Sequence, residues 1–338
     1  MSIQSSKSPD ITRVVKPTVR EEDIINEVSL RPRKLDDYVG QEQMKVHLKV
    51  AIESAKIRKT PLEHILFYGP PGLGKTTIST IIAHEMSASI KSTSGPAIEK
   101  QSDIVSLLTS LTEWEILFID EIHRLRPQIE EILYSAMEDY TIDIMIGSGT
   151  GSTSVKMDIP RFTLVGATTK LSSLSNPLRD RFGNVMKLDF YEPADLTKIV
   201  KRSFQILGFD QISSDAIMAI ALRSRWTPRI ANRYAKIIRD YAIIGRPIES
   251  QSDCESIFTG FWVDVQGLDI LDRKLLTSLM DSFHGRPVGL STLASVVGEE
   301  VATIEDVVEP YLLQIGFIER TPRGRQITLK WEEYLRSK

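Results

Sequence analysis

Eight residues constrain this chain more than any others: Gly69-Pro70-Pro71-Gly72-Leu73-Gly74-Lys75-Thr76. They fit G-x-x-x-x-G-K-[ST], a loop that cradles phosphate when a buried strand leads into it and a helix leads out. Both flanks are present. Residues 64–68 (HILFY) form a short apolar run that reads as a buried strand, and 76–86 carry apolar residues at helical spacing. Glycines such as Gly72 and Gly74 let backbone N–H groups crowd around phosphate oxygens, and the helix N-terminus adds its positive dipole end. Lys75 supplies a point charge to the β/γ oxygens, and the Thr76 hydroxyl is a ligand for Mg²⁺. The loop therefore requires an α/β domain and calls for a nucleotide.

Two further buried-strand runs, 116–119 and 162–167, alternate with helical stretches around 104–111 and 127–138, and helical spacing also runs through 43–59. Strands alternating with helices imply a parallel sheet covered on both faces. The second run ends in Asp120-Glu121. A carboxylate at the carboxyl end of a strand beside the loop is a second contact for Mg²⁺, which falls to Asp120, and Glu121 then orients and polarises the attacking water. That pair implies hydrolysis. The third run ends Gly166-Ala167-Thr168-Thr169, placing hydroxyls at the same sheet edge. Shortly afterwards come Arg179 and Arg181. An arginine supplied across a subunit boundary speeds hydrolysis by roughly 10³–10⁵; a surface salt-bridging pair is the plain alternative.

Beyond residue 192 the strand signal stops. Residues 193–261 are helical by period, with breaks at Gly208 and Gly245-Arg246-Pro247, and read as a small all-α unit. In it Thr227 is a good N-cap and Pro228 suits the first helical position, so Arg229 projects from a helix start; a solvated face shared with Arg225, Arg233 and Lys236 is the alternative. Helices near 271–284, 290–297 and 303–315 then lead into runs at 317–320 and 325–329 around a Pro/Gly turn. Three helices ending in a hairpin describe a winged helix-turn-helix. Earlier in the chain, 140–146 and 153–157 read as an inserted β-hairpin in which Ile142, Ile144 and Ile146 share a face; by itself that pattern favours inward packing. The first 20 residues read as a flexible lead-in.

Composition sets limits on this scheme. A chain of 338 residues suits two or three domains. The single cysteine, Cys254, excludes an internal disulfide framework or a Cys-rich zinc site and points to a reducing cytoplasm. No apolar run reaches the length of a membrane span. A net charge of −3 argues against coating nucleic acid by bulk charge, yet it conceals an asymmetry. Residues 266–319 hold 3 basic and 9 acidic side chains, whereas 320–338 hold 6 basic and 2 acidic. Arg320, Arg323 and Arg325 flank the tight wing turn, where they suit successive phosphates without base readout.

Together, the phosphate loop, Asp120-Glu121-Ile122-His123-Arg124, Gly166-Ala167-Thr168-Thr169, Pro177-Leu178-Arg179-Asp180-Arg181-Phe182-Gly183 and Arg320-Thr321-Pro322-Arg323-Gly324-Arg325 resemble the RuvB family, the AAA+ motors of bacterial Holliday-junction branch migration. The resemblance runs from about residue 30 to 325. It implies an ATP-driven translocase on double-stranded DNA at Holliday junctions, working as a homohexamer ring with RuvA and RuvC in the cytoplasm. It implies an AAA+ ATPase domain at 1–191 with a hairpin at about 140–158, a helical lid at 192–262 and a winged-helix head at 263–338.

By the same resemblance, Lys75 and Thr76 are the phosphate and Mg²⁺ groups, and Asp120 and Glu121 the Walker B pair. Thr169 is sensor 1, Arg181 an arginine finger for a neighbouring subunit and Arg229 sensor 2. Leu30, Arg31, Thr77, Glu138, Asp139, Tyr140 and Tyr191 join Gly72 and Gly74 as further nucleotide contacts. The hairpin face of Ile142, Ile144 and Ile146 becomes an exposed RuvA-docking strip, reversing the inward reading. Arg320, Arg323 and Arg325 contact DNA. Two positions depart from the family pattern: Val301 stands where arginine is common, and Trp226 where glycine is usual. Other AAA+ activities share the core but not the winged helix, a DExH helicase needs a second motor domain, and a non-hydrolysing DNA-binding module has no use for Glu121 and Arg181.

Overall fold

The computed structural model describes residues 30–146, 153–209, 212–246, 248 and 250–336. Contacts divide the chain into two units, Met1–Arg31 and Pro32–Lys338. Of the first, only Leu30 and Arg31 are described, so the expected lead-in lies outside the described residues. The sheet, the lid and the head all belong to the second unit.

Helix α1 (Glu42–Arg58) precedes β1 (Ile65–Tyr68), and the phosphate loop joins β1 to α2 (Lys75–Met86). The chain continues through β2 (Ile90–Ser94), α3 (Gln101–Thr109), β3 (Ile116–Asp120), α4 (Pro127–Glu138), a hairpin of β4 (Thr141–Ile146) and β5 (Thr153–Asp158), β6 (Thr163–Thr168), α5 (Asn176–Asp180) and β7 (Asn184–Lys187). Five strands form one parallel sheet in the order β2-β3-β6-β1-β7. Leaving β1, the chain crosses two sheet positions to reach β2, and the crevice this leaves at the carboxyl ends of β1, β6 and β3 is where a ligand binds in such sheets.

Alternation along the strands feeds two cores. Phe67, Phe118 and Val165 pack with Leu48 and Ile52 of α1 and Ile78, Ile81 and Ile82 of α2. Leu66, Leu117, Ile119 and Leu164 face the other way, onto Ile104 and Leu108 of α3 and Ile129 and Leu133 of α4. The sequence pattern reveals β1, β3 and β6 but not β2 or β7. Those two are the sheet's edges, paired on one side only and carrying polar residues such as Lys91, Ser92, Asn184 and Lys187, so they lack the apolar run of a doubly covered strand.

The hairpin pairs β4 with β5 outside the main sheet, with Ile142 opposite Met157 and Ile144 opposite Val155. Ile142 is completely buried among Leu133, Ile159 and Phe162. It cannot belong to an exposed strip: two residues into the strand, the hairpin still lies on the core beside α4, and the inward reading holds there. The side chains of Ile144 and Ile146 lie outside the described residues.

The lid comprises α6 (Pro193–Ile206), α7 (Ser214–Arg223), α8 (Pro228–Ile243) and α9 (Gln251–Gly260). Ser213 caps α7 by accepting from the Ala216 N–H, and Ser250 and Asp253 form a reciprocal capping box on α9. The head contains α10 (Ile270–Thr277), a π-helical turn at Ser278–Ser282, and α11 (Leu290–Val297). A helical run follows, made of α12 (Val301–Thr303), a second π-helical turn (Ile304–Val308) and α13 (Glu309–Gln314), before the wing β8 (Ile318–Thr321) and β9 (Gly324–Ile327). The expected last strand stops at Ile327, and Leu329 opens α14 (Leu329–Arg336), whose buried Trp331 packs against Phe317. Among the described residues no helix is long and apolar enough to cross a membrane.

Candidate nucleotide site and nucleic-acid interface

The phosphate loop is held open from below by two phenols. Tyr38 and Tyr191 both donate to the Leu73 carbonyl, at 3.2 and 3.3 Å. Burial pushes the Tyr191 hydroxyl up to about 12, so it remains a donor. Gly74 has φ +100°, and a Cβ there would stand 2.7 Å from the Tyr38 hydroxyl, so a side chain at this position strains the backbone and displaces Tyr38. Sequence reasoning misses Tyr38, because a lone tyrosine 35 residues before its partner leaves no motif.

Lys75 opens α2 and is buried, with its ammonium donating to the carbonyls of Gly69 (2.7 Å) and Pro70 (2.9 Å). Burial brings its pKa down to about 8, against the upward influence of Glu121 and Asp120, and Arg229 adds to the lowering. These four residues therefore share one electrostatic site. Thr76 and Thr77 are half-buried in the first turn of α2.

At the end of β3, Asp120 accepts from the Glu121 N–H at 2.9 Å. Glu121 itself has φ 48°, a left-handed conformation that a non-glycine residue adopts at a cost and that is typical of functional turns. Its Oε2 accepts from the Thr169 hydroxyl at 3.2 Å and lies 3.4 Å from His123 Nδ1, which also contacts the Thr168 hydroxyl at 2.9 Å. Burial holds His123 below the usual histidine range although Glu121 opposes it. The β3 and β6 strand ends thus fix the carboxylate in place before any substrate arrives.

Arg229 sits at the start of α8, and its N–H donates to the Gly72 carbonyl at 3.3 Å, joining lid to phosphate loop. The helix begins at Pro228 as expected, but the Thr227 hydroxyl donates to the Ser224 carbonyl at 3.3 Å instead of capping. Just before it, Arg225 and Trp226 have φ 47° and 54°. The indole of Trp226 is packed edge-on between Phe190 of the large domain and Tyr311 of the head, and its carbonyl accepts from the Tyr191 N–H at 3.0 Å. Positive φ at Trp226 is a backbone cost that glycine would not carry; ring contacts on both sides of the indole offset it.

Arg181 forms a second cluster. It donates to Pro177 O (2.8 Å) and to Glu138 Oε2 (3.1 Å), and its guanidinium lies 4.5 Å from the centre of the Tyr134 ring. Asp139 pairs with Lys156 at 3.4 Å, and Tyr140 stacks edge-on to Phe162. None of these contacts reaches the phosphate loop or the Glu121 cluster. Leu30 and Arg31 belong to the first unit.

Among the described residues, no three His, Cys, Asp or Glu side chains are placed to hold a metal by themselves. Thr76 and Asp120, at the ends of adjacent elements of one crevice, offer two hard oxygens. That suits Mg²⁺, which keeps waters and takes its other ligands from a polyphosphate.

In the head, Arg320 and Arg325 face each other across the wing. Both reach the fully buried Glu309 of α13, Arg320 Nε at 2.6 Å and Arg325 with Nε at 3.0 and Nη2 at 3.1 Å. Burial works to raise the Glu309 carboxyl, but the arginine hydrogen bonds outweigh it and hold it below the usual range. Arg323 is exposed at the turn, and Val301 is exposed at the start of α12. The sequence places three equivalent arginines on the wing; the structure divides them into two held by a carboxylate and one at the tip.

Comparison with known proteins covers nearly the whole described chain. Residues 30–188 match the family model described as the Holliday junction DNA helicase RuvB P-loop domain, 191–254 the RuvB AAA lid domain, and 265–336 the RuvB C-terminal winged helix domain. Among solved structures, the chain is similar to the Thermotoga maritima RuvB Holliday junction branch migration motor, at 45% identity and a TM-score of 0.83, covering 91% of this chain and 98% of that one. A point variant of the same Thermotoga maritima protein matches at 46% identity with a TM-score of 0.84, over the same shares of the two chains.

Proposed function

The chain belongs to the RuvB family of Holliday-junction branch-migration motors, and from that membership we propose how its own residues turn ATP hydrolysis into work on DNA. It is a P-loop ATPase, so the nucleotide enters the crevice between loop and lid. Lys75 then exchanges the carbonyls of Gly69 and Pro70 for β/γ oxygens. When bound, Mg²⁺ neutralises phosphate charge, held from the protein side by Thr76 and Asp120. Glu121 orients and polarises the attacking water, and Thr169 keeps that carboxylate aimed. Arg229 links γ-phosphate occupancy to lid closure through its backbone bond to Gly72.

Arg181 and its neighbour Glu138 serve the adjacent subunit of a homohexamer ring, because every contact they make lies away from their own phosphate loop. We place the domains at 1–191, 192–262 and 263–338. The second limit is supported by Ile257 and Phe258 of α9, which pack into the lid's core beyond the matched segment, which ends at Cys254. The head contacts duplex DNA through its wing. RuvA docks on the outer part of the hairpin, where Val155 is 43% exposed, and not at Ile142; RuvC acts on the same junction. A cytoplasmic setting accords with a sequence that holds one cysteine, the buried Cys254.

The observation that carries the reading is the pre-set Glu121, held in a left-handed turn with Thr169 on its carboxylate and its charge acting on Lys75. Glu121→Gln should bind ATP as tightly as the wild type and turn over at least about 10²-fold more slowly. With the cognate RuvA, the wild type should convert a synthetic four-way junction to duplex products in the presence of ATP, and the variant should not. Normal turnover by the variant would remove the assignment of Glu121; wild-type turnover without junction conversion would remove the proposed coupling to DNA.

A further inference from the structure

We infer that Glu309 is a positioning residue for DNA binding, a buried carboxylate that sets the two wing arginines at a fixed spacing and ties them to the third helix of the head. This rests on the reading of the wing as a duplex-contact surface. Arg320 and Arg325 are direct cross-strand partners, and like charges in that arrangement repel and splay a two-stranded ribbon. Glu309 removes the conflict, because its Oε1 accepts from both Nε atoms while Oε2 takes Arg325 Nη2. The carboxylate is 0% exposed, and leaving it without those partners would strand a buried charge.

The two arginines are held differently. Arg325 lays one edge of its guanidinium against both carboxylate oxygens and is 19% exposed, whereas Arg320 commits only Nε and is 54% exposed. The base of the wing is pinned as well. Arg325 exchanges backbone hydrogen bonds with Val288, at 2.9 and 2.7 Å, just ahead of α11. Gly324 lies so close to the Val288 carbonyl that no Cβ fits there. The wing is therefore tied both to the segment ahead of α11 and to α13, with Arg325 as the brace and Arg320 and Arg323 as the groups able to meet phosphate.

Charge and position make opposite forecasts, which gives a clean test. Full-length protein is titrated onto a mixed-sequence duplex between 50 and 200 mM salt. Glu309→Gln raises the wing's net charge by one, so charge alone predicts tighter binding and a steeper salt dependence. Positioning predicts about tenfold weaker binding, with the slope of log affinity against log salt reduced by about 0.9 as one phosphate contact drops out. Arg325→Lys keeps the charge and loses the fork, and it sits at a partly exposed position where lysine is accommodated. It should weaken binding to a similar extent, and it decides the matter if Glu309→Gln does not fold. Unchanged or tighter binding by either soluble variant overturns the inference. Arg320→Ala combined with Arg323→Ala is the control: if the double variant leaves affinity and slope unchanged, the wing is not the DNA contact, and the underlying reading fails instead.

Discussion

Lys75 shows the competition between fold and chemistry at the residue scale. Burial brings its pKa down to about 8, so the fold alone disfavours the charged form that phosphate requires. The sign follows from linkage. A lysine whose folded pKa is depressed lowers stability while the pH is below that value, and the penalty is relieved as pH rises from about 8 toward the ordinary lysine value. A polyphosphate beside it restores the charged form. Between those limits the free protein holds Lys75 neutral and the complex holds it charged, so nucleotide binding takes up a proton. Calorimetry in two buffers of different ionisation enthalpy should find almost no uptake from this lysine at pH 7 and a large fraction of a proton at pH 9, lost in Lys75→Arg. No uptake at pH 9 would sink the account. Lys75, Asp120, Glu121 and Thr169 are legible in the sequence because motif and strand-end position define them locally. Tyr38 and His123 are not, because their roles arise through contacts 35 and 45 residues away along the chain.

At the scale of elements, the turn after β3 depends on a residue from the end of β2. Gly95 follows that edge strand, and a Cβ on it would collide with the Glu121 carbonyl oxygen. That oxygen has no freedom to retreat, since it already accepts from the Arg124 N–H at 2.9 Å in the turn that sets Glu121 at φ 48°. Gly95→Ala should therefore move the Glu121 carboxylate, proposed above to orient the attacking water, while leaving the phosphate loop intact. The expected loss is about 1–3 kcal/mol of stability and a fall in kcat greater than any change in nucleotide affinity, read from thermal melts and single-turnover hydrolysis. Wild-type kcat in a folded Gly95→Ala protein would show that the carboxylate tolerates displacement. The sequence hides this arrangement along with β2. Central strands announce themselves by apolar runs, whereas an edge strand of Ile-Lys-Ser-Thr-Ser reads as loop until its neighbour is known. The hairpin teaches the reverse: alternation correctly turns Ile142 inward, and the family resemblance alone turns it out.

Across the whole molecule, the head touches both segments that flank the proposed nucleotide site. Lys170, immediately after Thr169, pairs with Asp306 at 3.0 Å and with Glu305 at 3.5 Å, and its own N–H donates to the Thr168 hydroxyl that contacts His123. On the other flank, Arg225 pairs with Asp269 at 2.7 Å and with the buried Asp272, and it donates to the Gly267 carbonyl, four residues before Arg229 meets Gly72. None of this is readable along the chain, because Lys170 and Glu305 are 135 residues apart and each taken singly is an ordinary surface charge. An exposed pair of this kind contributes only about 0–1 kcal/mol to stability, so its removal should leave the fold standing and expose any role in communication. Lys170→Ala should melt within a degree or two of the wild type, while the ratio of ATP turnover with duplex DNA to turnover without it falls. The exchanged pair Lys170→Asp with Asp306→Lys should recover part of that ratio, and raising the salt should erode it in the wild type, since an exposed ion pair is screened. If Lys170→Ala keeps the full DNA response, the Lys170 tie carries no signal and the head reports to the ATPase from the lid side, where Arg225 and Trp226 meet Asp269, Asp272 and Tyr311.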